Sequence, residues 1–155
     1  MYKDEFMRRA IRLSLYNVQK GGGPFGAVIV KSGKVISSGT NLVTLVNDPT
    51  AHAEIDAIRK AAKNLKTFDL KGCEIYTSCE PCPMCLSAIY WARIDRVYYG
   101  NSKKDASKIG FIDDFIYHEL DKPIYKRKLK ITQHLRDEAL MSFETWDLKK
   151  DKVRY

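Results

Sequence analysis

No stretch of this sequence approaches the roughly 18 consecutive apolar residues that a membrane-spanning helix requires. The N-terminus, MYKDEFMRRAIRLSL, interleaves acids and arginines where a secretory leader would carry an uninterrupted apolar core. The expectation is a cytoplasmic protein with no membrane partner. Internal repeats and low-complexity linkers are also missing, and at 155 residues the chain fits one compact domain over 1–155. Cysteine is sparse, at four residues, but its placement is uneven: Cys79, Cys82 and Cys85 crowd into seven positions. In a cytosolic chain of this size such crowding points to metal binding or catalysis rather than to disulfides.

Nor does the composition favour disorder, since hydrophobic residues make up 45% and charged residues 30%, ordinary values for a globular protein. The formal net charge is +8, of which residues 1–24 contribute +3, residues 25–120 +1 and residues 121–155 +4. An excess toward the two ends permits a polyanionic partner, because clustered Lys and Arg release counterions on binding phosphates. It does not require one: a solvated surface kept away from zero charge reads the same way. The basic run over residues 125–130 is the place where nucleic-acid contact would fall.

Residues 4–20 set Phe6, Ala10, Ile11, Leu13 and Val18 at near-helical spacing with acids at the start, predicting an amphipathic helix closed by the glycines at 21–23. Two β-rich runs, 25–31 and 34–40, meet at Ser32-Gly33 and predict a hairpin. A helix over 51–64 follows, with Thr50 or Asp48 available as its cap and with His52 and Glu54 in its first turn. A strand over 74–78, a helix over 81–93 and a strand over 96–100 continue the pattern. Beyond Gly100 the expectations are a helical turn over 113–120, a strand over 129–132 and a terminal helix over 137–148. A hairpin followed by alternating helix and strand predicts a three-layer α/β/α fold with a central mixed sheet.

Cys82 and Cys85 lie three apart, a spacing that on a helix sets both side chains on one face, within reach of one tetrahedral metal. Free N–H groups and the positive dipole end at a helix start favour thiolates, and Pro81 suits such a start. His52 and Glu54 would diverge on a regular helix, but Cβ vectors tilt toward the N-terminus and both side chains can reach past a helix end. One imidazole and two thiolates leave zinc a fourth position for water, the open coordination of a catalytic site that supplies hydroxide near neutral pH. Glu54, beside that water and off the metal, fits a general acid-base role. His-x-Glu followed by Pro-Cys-x-x-Cys is a signature of zinc deaminases. Alternatively Cys79, three residues before Cys82, completes a closed Cys3His site; such a site gives no reason for an acid two residues after the histidine. Cys73, at a strand start, reads as a small buried hydrophobe.

The segments GGPFGAVIVKSGKVISSGTN, NDPTAHAEIDAIRKA, YTSCEPCPMCLSAIYWARIDRVYYG and GFIDDFIYHELDKP, with the C-terminal tyrosine, cover nearly the whole chain. In them the sequence resembles the cytidine-deaminase-like superfamily and, within it, the bacterial guanine deaminases. EPCPMC with IYWAR, and residues 111–117, look like the guanine enzymes, whereas DPTAHAE also resembles tRNA adenosine deaminases. The resemblance implies one zinc per subunit on His52, Cys82 and Cys85, and hydrolysis of guanine to xanthine and ammonia. It implies that Asp113, with Asp114 the neighbouring match, contacts the guanine amino group and assists proton transfer beside Glu54; Ile112 stands where the family carries an acid. It further implies that Asn41 hydrogen-bonds the purine, that Phe25 and Trp91 wall the pocket, and that Tyr155 closes the site from a partner subunit. The partner would be a second copy, in a homodimer exchanging residues 121–155.

Other functions stay open at this level. One is tRNA adenosine deamination, which the charge of +8 would suit. Another is deamination of a different aminated purine, pterin or nucleoside. A third is a zinc-stabilised RNA-binding module without turnover, against which the presence of Glu54 counts.

Overall fold

A computed structural model describes residues 2–155. In chain order its elements are α1 (Asp4–Gln19), β1 (Gly26–Lys31), β2 (Lys34–Thr40), α2 (Val43–Val46), α3 (Ala53–Leu65), β3 (Cys73–Cys79), α4 (Pro83–Trp91), β4 (Arg96–Asn101), α5 (Lys103–Lys108), α6 (Asp114–Leu120) and α7 (Arg136–Leu148). A 3-10 turn, Ile124–Lys126, lies between α6 and α7. Among the described residues one mixed sheet forms, in the order β2-β1-β3-β4. Its β1-β2 and β1-β3 pairs are antiparallel and its β3-β4 pair is parallel. At the hairpin turn Ser32 and Gly33 both take positive φ, 50° and 74°, the sense of twist that two right-handed strands need.

Strand β1 is internal and apolar on both faces, and its side chains alternate between two cores. Val28 and Val30 join Phe6, Met7 and Ala10 of α1 and Tyr76 of β3. Ala27 and Ile29 join Ala53, Ala57 and Ala61 of α3, with Ile75 and Ile89. Helices therefore cover both faces, and the three-layer α/β/α arrangement read from the sequence is the one observed.

Small residues set how closely the layers approach. Along α3 the alanines repeat every four residues on one face, and β2 meets them with Gly39. A Cβ at Gly39 would lie 2.1 Å from the Ala53 carbonyl oxygen and 2.6 Å from the Ala57 nitrogen. The first turn of α3 is thereby drawn onto the sheet, which fixes where His52 and Glu54 emerge.

Several boundaries differ from expectation for identifiable reasons. His52, not Thr50 or Asp48, is the N-cap of α3, and its side chain makes no capping bond. Asp48 is used one turn earlier, where its carboxylate accepts from the Thr50 backbone N–H (2.8 Å) and hydroxyl (2.7 Å). Helix α4 starts later than expected: Cys82 is its N-cap and Pro83, rather than Pro81, takes the first-turn position, where a missing N–H is harmless. The expected strand over 129–132 does not form. These residues are irregular, with Leu129 and Ile131 exposed, and among the described residues the second unit holds no strand to complete a ladder with them. Helices α2 and α5 were not anticipated, although Ser102 and Asp105 form a reciprocal capping box at the start of α5.

The chain divides into two compact units, residues 1–114 and 115–155. The first holds the sheet and α1 to α5. In the second, Glu119 binds Lys122 Nζ (2.5 Å) and the Lys128 backbone N–H (2.6 Å), while Arg127 donates to the carbonyls of Lys122 and Leu120, each at 3.1 Å. Helix α7 buries none of its residues.

Candidate metal centre

Two helix starts converge where β3 ends. His52 and Cys82 are both N-cap residues with extended backbone, φ −71°, ψ 158° and φ −66°, ψ 168°, so each side chain leaves its helix end instead of lying along the helix. Cys85 sits three residues into α4, within the same first turn. A Ser or Asp at either N-cap would bond the first-turn N–H groups, a contribution of about 1 kcal/mol. Here both N-cap side chains instead face each other, at the expense of that local stabilisation.

The resulting spacing is that of a metal site. His52 Nδ1 lies 3.6 Å from Cys82 Sγ and 3.5 Å from Cys85 Sγ, and the three donor atoms lie within 4.8 Å of one another. Tetrahedral zinc with ordinary Zn–S and Zn–N bonds separates such atoms by about 3.6 Å. The donor set is borderline-soft, as zinc prefers. Among the described residues no other group of His, Cys, Asp and Glu is so gathered.

The electrostatics fit a cation between these groups. The Cys85 thiol hydrogen-bonds to the Cys82 sulfur and, with His52, holds Cys82 far below the usual thiol range, at about 4. That same bond to Cys82, together with burial, pushes the Cys85 thiol up. The hydrogen bond to Cys82 raises His52 above its ordinary value. A divalent cation at this point would displace the protons of these thiol and imidazole ligands.

Glu54 is 7% exposed, and its Oε2 lies 3.5 Å from Cys85 Sγ without joining the ligand group. Burial is the main cause that raises its carboxyl above the usual range. Cys79 also lines this region but stands outside the ligand group: it ends β3 and donates to the Ser102 carbonyl at 3.7 Å, and burial pushes its thiol up to about 11. The closed Cys3His alternative is therefore not the arrangement seen. Cys73 is fully buried at the start of β3, as a small hydrophobe would be.

A cleft of about 390 Å³ opens onto this centre, and His52, Glu54, Cys82, Asn41, Phe25 and Asp113 all line it. Asn41 is 6% exposed, and its Oδ1 accepts from the Val43 backbone N–H at 3.3 Å. Burial raises the Asp113 carboxyl above its usual range. Asp114, its neighbour, does not line the cleft and lies 3.7 Å from Lys103 Nζ. Trp91 does not line this cleft. It ends α4 and is 67% exposed, and Tyr155 is exposed at the C-terminus.

Sequence reasoning missed several cleft residues. Phe111 packs edge-on against Phe25, ring centroids 4.8 Å apart at 88°, after a turn at Gly110 with φ 94°. Glu80 accepts from the Lys103 backbone N–H at 3.0 Å and so ties the metal loop to α5. The Ser-x-x-Asp pattern at residues 102–105 carries the signal that could have found α5.

The family described as the cytidine and deoxycytidylate deaminase zinc-binding region matches residues 1–101. The chain is 51% identical over 156 aligned positions to guanine deaminase of Bacillus subtilis (strain 168), covering 100% of each. The X-ray structure of guanine deaminase from Bacillus subtilis superposes with a TM-score of 0.96 over 100% of this chain and 99% of that one. Identity to the tRNA-specific adenosine deaminase of Aquifex aeolicus is 38%, over 90% of this chain and 89% of the relative. A solved guanine deaminase from Nitrosomonas europaea is 34% identical with a TM-score of 0.69, over 74% of this chain and 67% of that one.

Proposed function

The chain belongs to the cytidine and deoxycytidylate deaminase zinc-binding family, and from that premise we propose that it hydrolyses guanine to xanthine and ammonia. The carrying observation is that one cleft is lined both by members of the His52, Cys82, Cys85 metal group and by Glu54, Asn41 and Asp113. Full-length identity of 51% to a guanine deaminase supports guanine over other amine-bearing bases.

His52, Cys82 and Cys85 would hold a zinc ion, which would supply Lewis acidity and bring the pKa of a water toward about 7. The chain's own residues do the rest. Asn41 hydrogen-bonds the purine edge, while Phe25 and Phe111 give it an apolar wall. Glu54 takes a proton from water as the water oxygen bonds to C2, the carbon that carries the amino group. It hands that proton to the neighbouring ring nitrogen. Glu54 then takes the second proton from the hydroxyl now on C2 and passes it to the amino nitrogen, with Asp113 assisting; the C–N bond breaks as the C2 carbonyl forms, and ammonia leaves. Two carboxyls in one cleft can divide acid and base work when their surroundings separate their pKa values.

The active form in this reading is a cytoplasmic homodimer that exchanges residues 121–155, so that the terminal Tyr155 and the exposed Trp91 complete the sites of the assembly. It is supported by the apolar side chains that the C-terminal unit leaves uncovered: Phe143 is 73% exposed and Leu148 82%. Light scattering is expected to give twice 17.8 kDa; a mass of one chain would remove the exchange from the account. Among the described residues no helix is long and apolar enough to cross a membrane.

The 38% identity to a tRNA-specific adenosine deaminase favours one other reading. Purified, zinc-loaded protein offered guanine and a tRNA anticodon stem-loop separates the two. Ammonia from guanine with no inosine in the RNA is expected; inosine formation with inert guanine would replace the proposal.

A further inference from the structure

Asn17 and the glycines at 21–23 take no part in the chemistry above, yet they meet behind the Asn41 end of the cleft. Asn17 lies in the last turn of α1 and is 3% exposed. Its Nδ2 donates to the carbonyl oxygens of Gly23 and Asn41, each at 2.7 Å, and its own backbone carbonyl accepts from the Gly22 N–H at 2.9 Å. One carboxamide nitrogen therefore uses both protons to tie the end of α1, the glycine turn and the residue after β2 together.

The turn is fitted around two asparagines. A Cβ on Gly22 would lie 2.4 Å from Asn17 Nδ2, and a Cβ on Gly23 would lie 3.0 Å from Asn41 Cγ and Oδ1. Gly23 and Asn41 both line the cleft. Asn41 is thus held at its backbone by Asn17 and at Oδ1 by the Val43 N–H, while the missing side chain of Gly23 leaves its carboxamide room.

We propose that Asn17 is a positioning residue for substrate recognition: through the Gly23 and Asn41 carbonyls it fixes the Asn41 carboxamide that reads the base, and so sets KM. This rests on the reading that Asn41 contacts the purine. Few side chains meet the demand. Aspartate has the shape but no N–H donors, and glutamine adds a methylene where the space is already filled. The metal group is carried by α3 and α4, so disturbing the clamp leaves it in place. A misplaced reading group weakens ground state and transition state alike, which raises KM and leaves kcat nearly unchanged.

The test is steady-state kinetics on zinc-loaded full-length Asn17→Ala, Gly23→Ala, Asn41→Ala and the Asn17→Ala/Asn41→Ala double variant, with metal content measured on each. Asn17→Ala and Gly23→Ala are expected to raise KM for guanine about tenfold or more, with kcat within about threefold and zinc retained. In the double variant the Asn17 change should add less than about twofold, since it acts through a group already removed. KM factors that simply multiply would overturn the inference, as would an unchanged KM in both single clamp variants while Asn41→Ala raises it. If Asn41→Ala itself leaves KM unchanged, the base-reading role of Asn41 falls and takes this inference with it. Should Asn17→Ala fail to accumulate as folded protein, Gly23→Ala decides alone, because it crowds Asn41 without deleting a hydrogen bond: raised KM supports the clamp and unchanged KM overturns it.

Discussion

At the scale of single residues, the centre depends on which groups touch the metal and which stand beside it. Glu54 has no place among the three donors, so Glu54→Gln is expected to keep its zinc while kcat falls about 10²- to 10⁴-fold, the range of a lost acid-base group. Metal analysis beside initial rates checks this, and a variant with normal kcat would remove Glu54 from the reaction. Cys79→Ser is expected to retain a full complement of zinc, because Cys79 Sγ is engaged with the Ser102 carbonyl; loss of metal would restore the closed Cys3His site. The gathering of His52, Cys82 and Cys85 was legible in the sequence because metal chemistry restricts the types and spacings that work. The Phe25–Phe111 contact was not, since a phenylalanine carries no mark of whether it walls a cleft or fills a core.

The elements explain why the donors converge. A helix start usually recruits Ser, Thr, Asp or Asn as its N-cap, and that general preference pointed to Thr50 or Asp48 for α3. The metal site overrides it by placing His52 and Cys82 at the two N-caps. Hydrophobic patterning and turn chemistry made α1, the hairpin, α3, β3, α4 and β4 legible, whereas α2, a single turn that buries none of its residues, left no such pattern. The strand expected over 129–132 shows the converse: alternating apolar residues make a strand only when a neighbour completes its ladder. Helix α3 reaches its place by lying against Gly39. Gly39→Ala puts a Cβ into backbone atoms that cannot swing away, so chemical denaturation should show a loss of roughly 1–3 kcal/mol or more. Unchanged stability would mean that the β2–α3 approach is looser than 2.1 Å to the Ala53 oxygen implies.

For the molecule as a whole, the metal is also a staple, since its ligands come from two helices separated by a strand. A ligand that binds only the folded state at about 1,000 times its Kd adds about 4 kcal/mol. For a chain of this size, chelation should therefore lower Tm by roughly 8–16 °C, and a calorimetric scan with and without chelator reads it directly. An unchanged Tm would mean that the metal contributes little to holding α3 and α4 together. The net charge of +8 was the least informative property of the sequence. Charge is read by partners rather than by the fold, and here it fits a solvated surface as well as a polyanion site. The central claim is tested most directly by following guanine with the zinc-loaded protein and assaying both products together. One xanthine and one ammonia per guanine consumed, abolished by chelation and restored by added zinc, is the predicted result; guanine left intact by fully zinc-loaded, folded protein would contradict it.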